Sequence, residues 1–100
     1  MPRKENGMAW HVAFAGNVAQ DLKTLYQQAK TFGIGAAYVN AIKFALHRLR
    51  HDPFSLGELI ESKPKSRLFI HVRIVKPLLF EFAIHEESHS VLIQRVQLMP

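Results

Sequence analysis

The last third of the chain consists of three apolar runs separated by short polar turns, and this pattern restricts the fold more than any other feature. The runs cover residues 67–75, 78–85 and 90–99. Lys76-Pro77 separates the first two runs, and the polar segment HEESH separates the second from the third. Strands joined by such short turns pair in antiparallel order, so the sequence predicts a three-stranded meander.

Two amphipathic helices are predicted before the meander. Apolar residues recur at helical spacing over residues 18–31 and again from about residue 36 to residue 51. Asn17 is placed to cap the first helix, with Gln20 completing a capping box. Asp52-Pro53 ends the second helix, because the residue before a proline avoids the helical region.

The order of these elements predicts an α+β domain. A short strand over residues 10–15 comes first, and residues 53–66 have the composition of a loop. The predicted order is β-α-α-β-β-β, an antiparallel sheet with a helical hairpin packed on one face, because each element has one apolar side to bury. The first strand is expected at an edge, beside a non-sequential neighbour. Residues 1–8 are predicted to be a flexible leader, and residues 9–100 a single domain.

The charge of the chain favours a polyanionic or acidic partner. Thirteen Lys and Arg against eight Asp and Glu give a formal net charge of +5. A small basic domain attracts nucleic acid, the ribosome or an acidic protein, although the same charge could serve only solubility. Cysteine is absent, which excludes disulfides and thiol catalysis and fits a reducing compartment. With no signal-peptide pattern and no apolar stretch of membrane-spanning length, the predicted location is cytoplasmic, without membrane association.

Histidines supply the only candidate metal ligands. His47 and His51 are four residues apart near the end of a predicted helix, and His85 and His89 have the same spacing around a turn. No third ligand is indicated for either pair, and a histidine near a helix C-terminus is favoured by the helix dipole in any case. Solvated surface is therefore the preferred interpretation, and neither a metal nor another cofactor is predicted.

One face of the predicted meander carries candidate catalytic residues. Arg67, His71 and Arg73 share a face by strand alternation, with Glu81 and His85 expected on neighbouring strands. Two guanidinium groups can hold phosphate oxygens, and an imidazole or carboxylate can move a proton, a set that suits phosphodiester cleavage without metal. A solvated face with charged cross-strand pairs has the same appearance in the sequence, so both interpretations stay open.

Further basic residues are candidates for binding phosphate. The second helix ends in HRLRH, and two lysines follow in the loop. Such a patch attracts nucleic acid, although basic residues are also ordinary at a helix C-terminus. The predicted nucleic-acid-binding or phosphate-binding residues are Arg48, Arg50, Lys63, Lys65, Lys76 and Arg95.

Four stretches, taken in order, resemble the RelE/ParE superfamily of toxins from bacterial type II toxin–antitoxin systems. They are WHVAFAGNVAQDLKTL, LHRLRHDPFSLGEL, VRIVKPLLFEFAIH and SVLIQRVQL, and together they extend over about residues 10 to 98. The spacing of Leu49, Pro53, Gly57 and Leu59 adds to the likeness. The element order predicted above is also that of the superfamily.

The resemblance implies two different activities. RelE-like members cut mRNA in the ribosomal A site with basic residues on the sheet, whereas ParE-like members have the same fold and poison DNA gyrase. Both are neutralised by an antitoxin. Leu79 stands where RelE-like nucleases usually carry an arginine, and the basic C-terminal tail of those nucleases is missing here.

The sequence therefore predicts a toxin-like component of a type II toxin–antitoxin system, possessing either of two activities. The first is a metal-independent, ribosome-dependent mRNA endonuclease that uses Arg67, His71 and Arg73, a role slightly favoured by the basic residues among the strands. The alternative is a non-enzymatic protein, directed at gyrase or able only to bind its antitoxin. A cognate antitoxin with an acidic segment is the expected partner, encoded by a small neighbouring reading frame.

Overall fold

A five-stranded sheet with two helices forms the domain in the computed structural model, which describes residues 9–99. The strands are β1 (His11–Phe14), β2 (Glu58–Lys63), β3 (Leu68–Val75), β4 (Leu78–His85) and β5 (Ser90–Leu98), and the helices are α1 (Gly16–Thr31) and α2 (Gly35–His51). The predicted α+β class is confirmed. The leader predicted for residues 1–8 lies outside the described residues.

The strands follow the order β1-β5-β4-β3-β2 across the sheet. β3, β4 and β5 form the predicted antiparallel meander, with a two-residue turn at Lys76-Pro77. β1 lies at an edge beside a non-sequential strand, as expected, but it runs parallel to β5, so the sheet is mixed rather than wholly antiparallel. Alternation within a strand predicts its faces and not the direction of a partner from the far end of the chain.

The segment predicted to be a loop contains a strand. Between the 3-10 turns Pro53–Ser55 and Pro64–Ser66, residues Glu58–Lys63 pair with β3 and add an edge strand to the sheet. Every residue of β2 is exposed, and a bulge interrupts its pairing between Leu59 and Glu61. The strand therefore lacks the apolar alternation by which strands are recognised in a sequence, and the loop prediction was wrong.

The helices have nearly the predicted bounds, but α1 begins differently. Its N-cap is Ala15, with no side-chain capping bond, so the capping role predicted for Asn17 was wrong. The two helices are joined by the Tyr38 hydroxyl, which donates to the carbonyl of Leu22 at 2.9 Å. Burial raises the pKa of the Tyr38 hydroxyl above 10.0, because the phenolate would lose its hydration inside the domain.

The core lies between the helices and one face of the sheet. Ala29 of α1 and Ala45 of α2 are fully buried, and their small side chains allow the helices to pack closely. The largest fully buried side chains of the domain are Phe80, Phe82, Leu49, Leu78, Ile84, Ile93 and Val91. Most of them belong to β4 and β5, so the core is centred on these two strands.

Candidate functional site

The register between β3 and β4 divides the predicted catalytic face. Arg73 pairs with Phe80, and His71 pairs with Phe82. Directly paired residues point to the same side of a sheet, and both phenylalanines are buried beneath the helices. His71 and Arg73 therefore belong to the helix-facing side.

Glu81 and His85 lie on the opposite side of the sheet. They pair with Val72 and Leu68, whose side chains alternate with those of His71 and Arg73. The predicted common face of these residues was therefore wrong. The sequence pattern of β4 indicated its buried face correctly, but β3 has apolar residues on both faces, so its alternation did not decide which one faces the core.

Arg67 lies at the other end of β3 from Arg73 and already has a partner. Its φ of 52° places it in the left-handed region just before the strand. Its Nε and Nη2 atoms donate to Oε1 of Glu86 at 3.1 Å and 2.9 Å. Six residues of extended chain separate Arg67 from Arg73 by roughly 20 Å, so the two guanidinium groups do not converge on one phosphate.

His71 is buried, with 5% of its surface exposed. Its Nδ1 atom lies 3.1 Å from the carbonyl oxygen of Leu56, to which only a protonated nitrogen can donate. The imidazole ring packs against Phe82 and Phe54, with ring centroids 5.5 Å and 6.1 Å away. These contacts hold the segment before β2 onto β3, and the catalytic role of His71 stays a prediction.

Arg73 is the member of the predicted catalytic set that faces solvent beside a cleft. The cleft has a volume of about 270 Å³ and is lined by Gly57, Glu58, Val72, Arg73 and Ile74. Lys76, in the turn that follows β3, is also exposed. This end of the sheet can therefore present two cations to an anionic ligand, and Glu58 is the acidic residue among those that line the cleft.

The predicted phosphate-binding residues are distributed over separate elements, and three of them have partners within the chain. Arg48 donates to the hydroxyl of Ser55 at 2.6 Å and so holds the turn after α2. Lys63 lies 3.8 Å from Glu61, and Arg95 lies 3.4 Å from Glu81. The remaining predicted residues, Arg50, Lys65 and Lys76, are exposed on three different segments.

The two histidine pairs singled out in the sequence lie in separate parts of the fold. The His47 and His51 rings lie 4.6 Å apart on α2, whereas His89 stacks on Trp10 with ring centroids 3.9 Å apart. Within residues 9–99, no group of three or more potential metal-binding side chains occurs. None of the helices there is long and apolar enough to cross a membrane.

The side of the sheet away from the helices carries an apolar surface that the sequence analysis did not single out as a site. We call it the open face. It is formed by Leu68, Ile70, Val72 and Ile74 of β3, Leu79 of β4 and Leu92 of β5. All six are at least partly exposed, and Ile74 is 48% exposed. The signal was present in the sequence, since β3 and β4 have apolar residues at both alternating positions, but only the assembled register brings these side chains together.

The cleft and the open face share Val72 and Ile74 but offer different chemistry. The Arg73 cleft is small and charged. The open face is broader and apolar along β3, with the Glu81–Arg95 pair within it and with Glu61 and Lys63 on its β2 side. A solvated antiparallel sheet normally has polar residues on its outer face. The open face is therefore the stronger indication of a macromolecular partner.

Comparison with known proteins gives a structural match alone. No family model and no curated protein matches the sequence. Among solved structures, a chain of the toxin–antitoxin complex RelBE2 from Mycobacterium tuberculosis is similar, with a TM-score of 0.62 and 20% identity. The match covers 91% of this chain and 99% of that chain. The protein therefore has the α+β fold of that chain, and this agrees with the fold that the resemblance to the RelE/ParE superfamily implies.

Proposed function

We propose that this protein is the toxin-like component of a type II toxin–antitoxin pair, and that a segment of its antitoxin binds the open face. The observation that carries the proposal is an exposed apolar sheet surface within a RelE-like fold. The similar solved structure is itself a toxin–antitoxin complex. An apolar surface of this kind gains stability when a partner removes it from water.

The side chains of the open face indicate what kind of segment would bind there. Its apolar row along β3 requires alternating or helically spaced apolar side chains on the partner, as in other recognition of peptides by sheets and grooves. The net charge of +5 favours an acidic segment by accelerating its approach. Apolar anchors would supply most of the affinity, and acidic residues would supply the association rate.

The separation of the predicted catalytic residues favours action through binding over mRNA cleavage. Arg67 is paired with Glu86 at a distance from Arg73, and His71 donates to a backbone carbonyl inside the domain. A protein directed at gyrase, or one that only binds its antitoxin, needs no such convergence. The mRNA endonuclease is a second candidate, and one observation supports it: Arg73 and Lys76 are exposed at the same end of the sheet, Arg73 beside the cleft.

The replacement Ile74→Glu tests the open face as the antitoxin site. It removes an apolar contact and repels an acidic segment, so we expect affinity for the product of the neighbouring reading frame to fall about tenfold or more. Ile74 is 48% exposed, so the domain should remain folded. The measurement is titration calorimetry with the purified pair.

Phe32→Glu provides the matched control, because Phe32 is 59% exposed at the end of α1, away from the open face. Its affinity for the antitoxin is expected to equal that of the unaltered protein. Equal binding by Ile74→Glu would place the antitoxin elsewhere. Failure of the unaltered protein to bind the neighbouring product would remove the toxin–antitoxin proposal itself.

Expression in a bacterial host tests the activity and separates the two candidates. We expect inhibited growth with intact mRNA, and an Arg73→Ala variant that inhibits growth as strongly as the unaltered chain. Lys23→Ala is the control, because it removes an exposed cation from α1. Rapid loss of ribosome-bound mRNA that disappears in Arg73→Ala but not in Lys23→Ala would instead establish the endonuclease. DNA supercoiling, followed in the same cells, reports gyrase inhibition.

A further inference from the structure

The two edges of the sheet are protected to different degrees. β1 has four residues, and α2 lies against it: the Trp10 amide, just before the strand, donates to the carbonyl of Arg50 at 2.8 Å. β2 is six residues long and exposed throughout, with Leu59 53% and Ile60 58% exposed. Its outer edge is not paired with any strand within residues 9–99. Exposed strand edges with apolar side chains readily pair with another chain.

The sequence of β2 is complementary to itself when read in opposite directions. The strand begins with Glu58 and ends with Lys63. In an antiparallel pair of identical strands, the first residue of each strand lies opposite the last residue of the other. Two copies of β2 would therefore form two opposite-charge pairs, one at each end, and such cross-strand pairs favour the pairing.

The bulge in β2 makes this pairing possible on consistent faces of the sheet. Glu58 and Lys63 pair with Val72 and Leu68, which are four residues apart on β3, so both point to the open face. In a regular strand, residues five positions apart would point to opposite faces. The register shift between Leu59 and Glu61 adds the extra residue, Ile60, that brings them to the same face.

The inner residues of β2 would also be paired on a common face of the sheet. Leu59 and Ser62 pair with His71 and Phe69, two residues apart on β3, so both point to the helix-facing side. An antiparallel pair of β2 strands with Glu58 opposite Lys63 therefore also places Leu59 opposite Ser62 on a common face. The most exposed apolar residue of the strand, Ile60, then lies next to the two-fold axis.

We propose that two copies of this chain associate through β2, in antiparallel register with Glu58 opposite Lys63, and extend the sheet across a two-fold axis. The proposal is independent of any toxin activity. Within one chain Lys63 lies 3.8 Å from Glu61, an exposed and long contact that contributes little and can be exchanged. Six residues of edge bury a small area, so the dimer is expected to dissociate in the micromolar range.

Sedimentation equilibrium of the full chain, over concentrations on the order of 1 to 100 µM, measures this association. The unaltered chain is expected to approach a dimer at the upper end. Glu58→Lys places like charges at both ends of the paired strands, and Lys63→Glu does the same with the opposite sign. Each variant alone should weaken dimerisation about tenfold or more.

Mixing the two variants in equal amounts is the decisive control. In the mixed pair each strand end again has an acid opposite a base, so association should return to that of the unaltered chain. Both side chains are exposed, and thermal melting checks that the variants fold. A monomeric unaltered chain at the highest concentration overturns the proposal. Single variants that dimerise normally, or a mixture that stays monomeric, overturn it equally.

Hydrogen exchange supplies a second readout that charge alone would not change. Backbone amides of β2 that point away from β3 gain partners only when the strands pair. Their exchange should slow with increasing concentration in the unaltered chain and stay fast in Glu58→Lys. Unchanged exchange in a chain that does dimerise would assign the contact to another surface.

Discussion

Replacing Gly57 with alanine is expected to lower the free energy of unfolding by about 2–4 kcal/mol, more than any other glycine substitution in the described chain. Gly57 has a φ of +79°, which side chains other than glycine rarely adopt. A Cβ atom there would lie 2.5 Å from the carbonyl oxygen of Val72 and 3.0 Å from Cβ of Arg73. The backbone of β3 would have to move. Denaturant unfolding of the variant measures the loss.

Substitutions at two other glycines separate the effect of backbone strain from the effect of the close contact with β3. Gly33→Ala has the same strain, with a φ of +76°, but no heavy atom within 4 Å, so it should cost only about 1–2 kcal/mol. Gly16, the first residue of α1, has neither a positive φ nor a close neighbour. The effect of Gly16→Ala on stability should therefore lie within about 1 kcal/mol of zero. If Gly57→Ala cost no more than Gly33→Ala, the close contact with β3 would not be a constraint.

The position of Gly57 explains one part of the sequence resemblance in physical terms. Leu49 and Pro53 are buried, and Gly57 passes directly against the β3 backbone. Their spacing therefore folds the chain from the end of α2 back onto the sheet. The same approach builds one wall of the Arg73 cleft. This part of the likeness to RelE/ParE proteins reports a folding constraint and gives no evidence of catalysis.

Local patterns predicted the helices and the meander because each of those segments carries its own signal. The apolar face of α2 and the alternation in β4 depend only on neighbouring residues. β2 has no such signal, since it is exposed on both faces and pairs along one edge only. Its existence depends on β3, which a single-sequence pattern cannot represent.

The candidate site was harder to predict than the fold, because its geometry depends on register and distant partners. The alternation of β3 placed Arg67, His71 and Arg73 on one face, but Arg67 lies before the strand and pairs with Glu86, nineteen residues away. The open face also depends on register. Ile70 and Leu92 lie on the same face, on either side of Ala83, because of the way β3, β4 and β5 pair. The charge and hydropathy of the sequence identified candidate residues, but the pairing of the strands determines which of them are neighbours.

His71→Ala is expected to destabilise the domain by about 3 kcal/mol. The substitution leaves a cavity between Phe54 and Phe82 and deprives the buried carbonyl of Leu56 of its donor. Arg73→Ala, two residues along the same strand but exposed, should change stability by less than about 0.5 kcal/mol. Thermal and denaturant unfolding of the two variants give the comparison.

This contrast determines how a loss of toxicity in His71 variants has to be interpreted. If His71 acts through packing, activity should follow the folded fraction and return at lower temperature. His71→Phe, which keeps a ring in place, should then recover part of the stability and of the activity, remaining about 1–2 kcal/mol below the unaltered chain because the hydrogen bond is lost. If the unaltered chain does destroy mRNA, a His71→Phe protein that is stable, binds the proposed antitoxin and leaves mRNA intact would instead support a catalytic role for His71. A protein with undiminished toxicity would instead leave His71 as the residue that holds Leu56 against β3.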